Sequence, residues 1–356
     1  MNSSPFYRLA ASCVMPNVME DKYSVDDEYR ENIHRLAASG IAGFCVFQGK
    51  LDETRTMIAA LQTIANGTLL MSADYEYGLP MRLEGGTAFP QAMAIGKAND
   101  PAMTRKIAQA IAREARGIGI HWNFAPACDV NSNPKNPIIN IRSFGETPEA
   151  IIPHIIAMIE GMQSEGVLAC AKHFPGHGDT SVDSHLSLPT LLYDLVRLEK
   201  TELKPFRAAI HAGVRSVMVA HMAAPALTAA GKESVDESPR FPTHENEPAS
   251  LSKAITTGFL KNTLHFNGLS VTDALEMHSI TRQYSSGEAA IRAMDAGADV
   301  ILIPENPWEA IEALAMEAEA NPQFAERLHQ AAAHIDEAKK WCSQMVASLE
   351  SKPISL

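Results

Sequence analysis

A short apolar run followed by a longer segment of helical period recurs eight times along this 356-residue sequence. That recurrence predicts an α/β fold, a (β/α)8 barrel of the TIM type forming a single domain over residues 1–356. Two further observations point the same way. The runs are apolar almost throughout, as suits a parallel sheet covered on both faces. Ionisable residues stand just after the runs, where a barrel gathers its loops into one pocket.

The apolar runs are Leu9–Met15, Gly43–Phe47, Thr68–Ser72, His121–Pro126, Val167–Lys172, Ser216–Ala220, Leu269–Thr272 and Ala298–Ile303. The helical segments between and after them are Asp26–Ala38, Glu53–Ile64, Ala102–Gly117, Pro148–Glu165, Leu195–Ala212, Ser252–Leu264, Gly287–Ala296 and Pro307–Ala318. A doubly wound sheet is the alternative, but eight units favour the barrel and no GxGxxG follows the first strand. A further helix over 323–348 is expected to pack against the barrel. The polar segment Thr228–Glu247, with its Pro and Ser residues, reads as an exposed loop after the sixth strand.

The formal net charge of -12 disfavours nucleic acid or an anionic membrane as the main partner, because both require a basic face. Five dispersed cysteines form no CxxC pair and read as free thiols of a reducing compartment. The first residues, MNSSPFYRLAASCVMPNVMEDKY, lack a basic n-region followed by an unbroken apolar core, and no stretch approaches the ~20 apolar residues of a membrane span. A cytoplasmic location is the expectation.

Asp74 and Glu76 end the third run, Asp129 follows the fourth, Lys172 and His173 end the fifth, His221 the sixth and Asp273 the seventh. The segment LACAKHFPGHGDTSVDSHLSLPTL is the most informative. Its strand LACA delivers Lys172 and His173; Pro175, Gly176 and Gly178 then break regular structure. The loop beyond carries His177, Asp179, Asp183 and His185. Asp183 and His185 are two apart, so on extended backbone both project to one side, and a carboxylate beside an imidazole tunes it as a general acid or base. The same histidines with Asp183 offer zinc-ligand types, yet His173 and His177 cannot share a helix face across Phe-Pro-Gly, and no metal is expected. Asp273 in NGLSVTDALEM suits attack on an anomeric carbon; from position alone, a helix N-cap is an equal reading. Asp295 and Asp299, around Ala296–Gly297, read as turn residues.

KHFPGHGDTSVDSH followed by GLSVTDALEM resembles the glycoside hydrolase family 3 enzymes, and among them the single-domain β-N-acetylglucosaminidases. NFAPACDVNSNP with IRSFGETPE, and VMVAHM with PASLS, extend the resemblance along most of the chain. The resemblance implies a retaining exo-β-N-acetylglucosaminidase without cofactor. Asp273 would form the covalent glycosyl-enzyme, and His185 with Asp183 would be the acid/base dyad. Asp74, Arg82, Arg142, Lys172, His173 and His221 would bind the sugar or support the nucleophile. The implied substrate is a small GlcNAc-containing glycoside or muropeptide fragment, in a setting of cell-wall recycling.

The family run DQEGGRVQR stands here as DYEYGLPMRL, which keeps Asp74, Glu76 and Arg82 and changes the outer contacts. A histidine in place of a second catalytic carboxyl leaves less negative charge near the anomeric centre, so phosphorolysis of a β-glycoside is an alternative, as is β-glucosidase activity. A non-enzymatic sugar-binding barrel would show damage at Asp273, Asp183 or His185, and all three stand.

Overall fold

The computed structural model describes residues 4–65, 67–180, 188–235, 241 and 244–351. Eight parallel strands close into a barrel. The first, β1, is interrupted at Pro16 into Val14–Met15 and Asn17–Val18. The others are β2 Cys45–Val46, β3 Ser72–Ala73, β4 Trp122–Asn123, β5 Leu168–Phe174, β6 Ser216–Val219, β7 Leu269–Thr272 and β8 Ile301–Leu302. Proline has no N–H for the ladder, and the two halves of β1 serve different neighbours. Asn17–Val18 pairs with β2, while Val14–Met15 pairs with β8. A bridge from Val271 to Val300 joins β7 to the eighth unit and completes the ring. Every residue of β5 is buried, as a strand covered on both faces requires.

The outer helices are α1 Asp27–Ser39, α2 Leu51–Ile64, α3 Pro101–Gly117, α4 Pro148–Ser164, α5 Lys204–His211, α6 Ala254–Thr263, α7 Ser286–Ala296, α8 Pro307–Ala320 and α9 Pro322–Glu350. Local sequence sets their starts. Asp26, Asp100, Thr147, Ser285 and Asn306 each accept a backbone N–H of the first turn, and proline stands at the start of α3, α4 and α8. Gly40 and Gly297 end α1 and α7 in the left-handed conformation. Among the described residues no helix is long and apolar enough to cross a membrane.

Four details depart from the expected pattern. Residues 9–11 of the first apolar run belong to a helix, Tyr7–Ala11, that packs on α8; the strand begins only at Val14. Apolarity alone cannot separate a buried helix turn from a strand. The fifth helical segment divides into Leu195–Lys200 and α5, with Pro205 at the new start, where its missing N–H is harmless. The polar segment after β6 is helical over Pro225–Lys232, and its Thr228 is buried, so the exposed loop is shorter than 228–247.

Asp299 is the fourth. It is no simple turn residue but a fully buried carboxylate beneath the barrel. It accepts from Ser270 N–H at 2.9 Å and Ser270 Oγ at 2.7 Å, and pairs with Arg327 at 2.8 Å, Lys261 at 3.3 Å and His334 at 3.1 Å. Burial alone would raise its pKa, but Lys261, the His334 hydrogen bond and Arg327 hold it far below the ordinary carboxylate range. The cluster ties α6 and α9 to β7. Asp299→Asn leaves two partly buried cations without their counter-charge, and a loss of about 3 kcal/mol in unfolding free energy is expected. Denaturant titration checks this, and a loss below 1 kcal/mol would show that the cluster contributes little.

Candidate active site

The carboxyl ends of the strands surround a cavity of about 700 Å³, bordered by Asp74, Arg82, Arg142, Lys172, His173, His177, Asp273 and Met277 among others. Strand β5 supplies two consecutive lining residues, although a regular strand points neighbours to opposite faces. Its pairing with β6 shifts register between Ala171 and Phe174, and this irregularity turns Lys172 and His173 both toward the cavity.

Lys172 is 1% exposed. Its ammonium donates to Asp74 Oδ1 at 2.7 Å and lies 2.9 Å from Glu76 Oε1. Burial works against the charged amine, but the two carboxylates outweigh it and raise its pKa. Arg82 Nη2 holds the other Asp74 oxygen at 2.6 Å while its guanidinium stacks on Phe47. Arg142, at the end of a short turn over Asn140–Arg142, grips Glu76 through Nε and Nη2, the latter at 2.6 Å. Against the cost of burial, Lys172 and Arg82 draw the Asp74 carboxyl down to about 2, and Lys172 and Arg142 draw Glu76 down further.

Asp129, fully buried after β4, organises the histidines. It accepts from His173 Nδ1 at 2.8 Å and from the backbone N–H of His177 at 2.6 Å. Nδ1 therefore donates to the carboxylate, and Nε2 turns toward Arg142 Nη2 at 3.4 Å. The loop reaches this position because Gly178 passes against Val130: a Cβ there would stand 1.7 Å from the Val130 carbonyl oxygen. Gly176, at φ 127, supplies a backbone conformation that L side chains rarely adopt.

Asp273 follows β7. Its Oδ1 accepts the N–H of Ala274 at 2.8 Å. Burial opposes the carboxylate, but His221 and His173 outweigh it, so the group stays ionised. His221 is buried and its Nε2 lies 2.9 Å from the Ala274 carbonyl, which can only accept, so Nε2 donates; its Nδ1 lies 2.7 Å from Ser250 Oγ. His221 thus holds the Asp273–Ala274 turn from behind.

The structure brings Asp74, Arg82, Arg142, Lys172, His173 and Asp273 to one cavity, with His221 beneath. Asp183 and His185 lie outside the described residues. Sequence reading gave no role to Glu76 or Asp129, although each was a visible acid after a strand. It also left Glu202 unnoticed. This residue is buried behind the loop against Gly176, with Arg197 3.4 Å from its carboxylate, and burial raises its pKa. Of the altered run, Tyr75 is buried in the core and Met81 lines the cavity.

A closed parallel barrel carrying carboxylates and cations at the carboxyl ends of its strands defines the class of barrel-borne active sites. The sequence profile of the Glycosyl hydrolase family 3 N terminal domain matches residues 14–338, and the chain belongs to that family. Beta-hexosaminidase A of Pseudoalteromonas piscicida is 36% identical over 283 residues, covering 74% of this chain and 46% of the relative. The chain spans about half the length of the first curated relatives it matches. Among solved structures, a glycoside hydrolase family 3 beta-N-acetylglucosaminidase from Paenibacillus sp. str. FPU-7 superimposes with a TM-score of 0.84 at 34% identity, over 98% of this chain and 64% of that one. Beta-glucoside phosphorylase BglX gives 0.82 at 25% identity, over 99% and 60%.

Replacing Lys172 by Met removes the cation shared by two carboxylates and raises the folded-state pKa of both. A depressed carboxyl stabilises the fold above its unfolded pKa and loses that contribution as pH falls through its folded value. The variant is therefore expected to be less stable than the parent at pH 7, with the gap narrowing below about pH 4 toward pH 2. Melting temperatures across pH report it; a gap that stays constant with pH would contradict the charge pairing.

Proposed function

We propose that the chain is a retaining exo-β-N-acetylglucosaminidase that removes a terminal β-linked GlcNAc. Asp273 attacks the anomeric carbon and forms a covalent glycosyl-enzyme; His185, tuned by Asp183, protonates the leaving oxygen and then activates water. The observation that carries the reading is the single cavity in which an ionised Asp273 faces Asp74, Arg82, Arg142, Lys172 and His173. Charge-assisted donors and acceptors in fixed positions suit the hydroxyls of one sugar ring, and a carboxylate at the edge suits an oxocarbenium-like state. The likeness to a beta-hexosaminidase and to a beta-N-acetylglucosaminidase supports GlcNAc as the sugar. The roles of Asp183 and His185 rest on the DSH run of the family motif. The proposed substrate is a small glycoside or muropeptide fragment from cell-wall recycling, met in the cytoplasm; five free, buried thiols suit a reducing compartment.

Phosphorolysis is the second reading, favoured by the likeness to a beta-glucoside phosphorylase. Incubation in millimolar phosphate with assay for sugar 1-phosphate separates the two: product retaining phosphate establishes phosphorolysis, and free sugar alone establishes hydrolysis.

With p-nitrophenyl β-GlcNAc and p-nitrophenyl β-glucoside, the parent is expected to prefer the former. Asp273→Ala is expected to lose at least about a thousandfold in kcat; undiminished turnover would remove Asp273 as nucleophile. His185→Ala is expected to lose more rate on poor leaving groups than on activated ones, since activated ones need little protonation. Equal loss on both would count against the acid role.

A further inference from the structure

His177 lines the cavity, yet nothing described so far uses its ring. It is 2% exposed and held from behind at three points. Its N–H donates to Asp129 Oδ1 at 2.6 Å, its carbonyl accepts from Asn136 Nδ2 at 2.7 Å, and its Nδ1 lies 2.7 Å from Thr180 Oγ1. Nε2 is left over. It is buried and has no hydrogen-bond partner among the described residues. Native interiors rarely leave a buried imidazole nitrogen unpaired, because the desolvation of that atom goes uncompensated. A ring locked by its other nitrogen, with the free one at a cavity wall, is prepared for a ligand's polar group.

The surroundings identify that group. His173 stands edge-on at 6.2 Å between ring centroids, and both rings border the cavity with Asp273. Burial and His173 lower the basicity of His177, while the Asp273 carboxylate acts in the opposite sense, so ring and carboxylate lie within electrostatic reach. On the glycosidase reading above, Asp273 marks the place of the anomeric carbon. Two atoms of a pyranose flank that carbon. The ring oxygen has no proton and loses basicity as the oxocarbenium forms; C2 carries the one strong hydrogen-bonding substituent beside it. We propose that His177 is a substrate-binding residue whose Nε2 hydrogen-bonds the C2 substituent of the bound sugar, the acetamido group of a GlcNAc unit. An acetamido group offers both N–H and carbonyl, so either neutral tautomer of the ring finds a partner. The contact fixes C1 against Asp273 and reads the position next to it.

The test separates this contact from a structural role by choice of side chain. His177→Asn keeps a polar atom near Nδ1, for Thr180, and loses the one at the cavity wall. His177→Gln reaches toward the Nε2 position and gives up the Thr180 contact. Both are assayed with p-nitrophenyl β-GlcNAc and p-nitrophenyl 2-deoxy-β-glucoside, and calorimetry measures binding of free GlcNAc and 2-deoxyglucose. The expected result is a loss of about tenfold or more in kcat/KM and in affinity for His177→Asn with the GlcNAc ligands, and less than about twofold with the 2-deoxy ligands. His177→Gln is expected to retain more than His177→Asn. Equal losses on both ligand pairs, or an unimpaired His177→Asn, would overturn the proposal. If no glycoside is turned over, the proposed hydrolase activity falls and the binding comparison alone decides the role of His177. If GlcNAc does not bind the parent protein, both fall.

Discussion

The ammonium of Lys172 is the point on which the site depends. A lysine buried to this degree must find opposite charge, and it finds two carboxylates on one strand end, Asp74 and Glu76. The pairing fastens the end of β5 to that of β3 across the intervening β4. One cation between two acids leaves negative charge over, and Arg82 and Arg142 neutralise it from outside. Each arginine is thereby held in one orientation at the cavity wall. Two acids and three permanent cations leave the cluster with a single surplus positive charge, and Lys172 is among the groups that keep Asp273 ionised. The charged cluster and Asp273 are coupled through that surplus.

Asp129 does for the loop what Lys172 does for the strands. Its carboxylate gathers one ring nitrogen and two backbone N–H groups from residues four apart, so the chain from His173 to His177 is wound around a single acceptor pair. Gly178 permits the close passage against Val130 that this winding requires. The opposite end of the barrel repeats the device with Asp299, where the cations come from α6 and α9. Buried charge at the amino ends of the strands holds helices in place, while buried charge at the carboxyl ends borders a cavity. Such a division lets loops over the site vary without loosening the barrel.

Sequence alone made the strands legible because apolar runs and helical periods differ over several turns of pattern. It failed where that contrast vanishes. Leu9–Ala11 is apolar in either conformation, and the start of the polar stretch 228–247 is the end of a helix with Thr228 and Gly231 buried. Lys172, His173 and Asp273 were readable because each ends a strand. Glu76 and Asp129 were visible as acids, but their importance lies in contacts made across 66 and 44 residues to Arg142 and His173. No local pattern encodes such a pairing. His177 was obscure for a related reason: a free Nε2 is defined by what the ring's other atoms already bind, and Thr180 and Asn136 look ordinary in a loop.

Charge balance links these residues to the proposed chemistry. Of the acids at the carboxyl ends of the strands, Asp74 and Glu76 are paired with Lys172, Arg82 and Arg142, and Asp129 is bound by His173. Asp273 is held differently: its Oδ1 accepts the N–H of Ala274, and nearby positive groups, Lys172 among them, favour its ionised form. In the proposed reaction positive charge builds at the anomeric carbon beside that carboxylate, which is placed to stabilise it. A second catalytic carboxylate would set another negative charge close to Asp273. A histidine acid/base, neutral before or after proton transfer, adds none. The proposed acid/base role of His185 avoids that like-charge conflict.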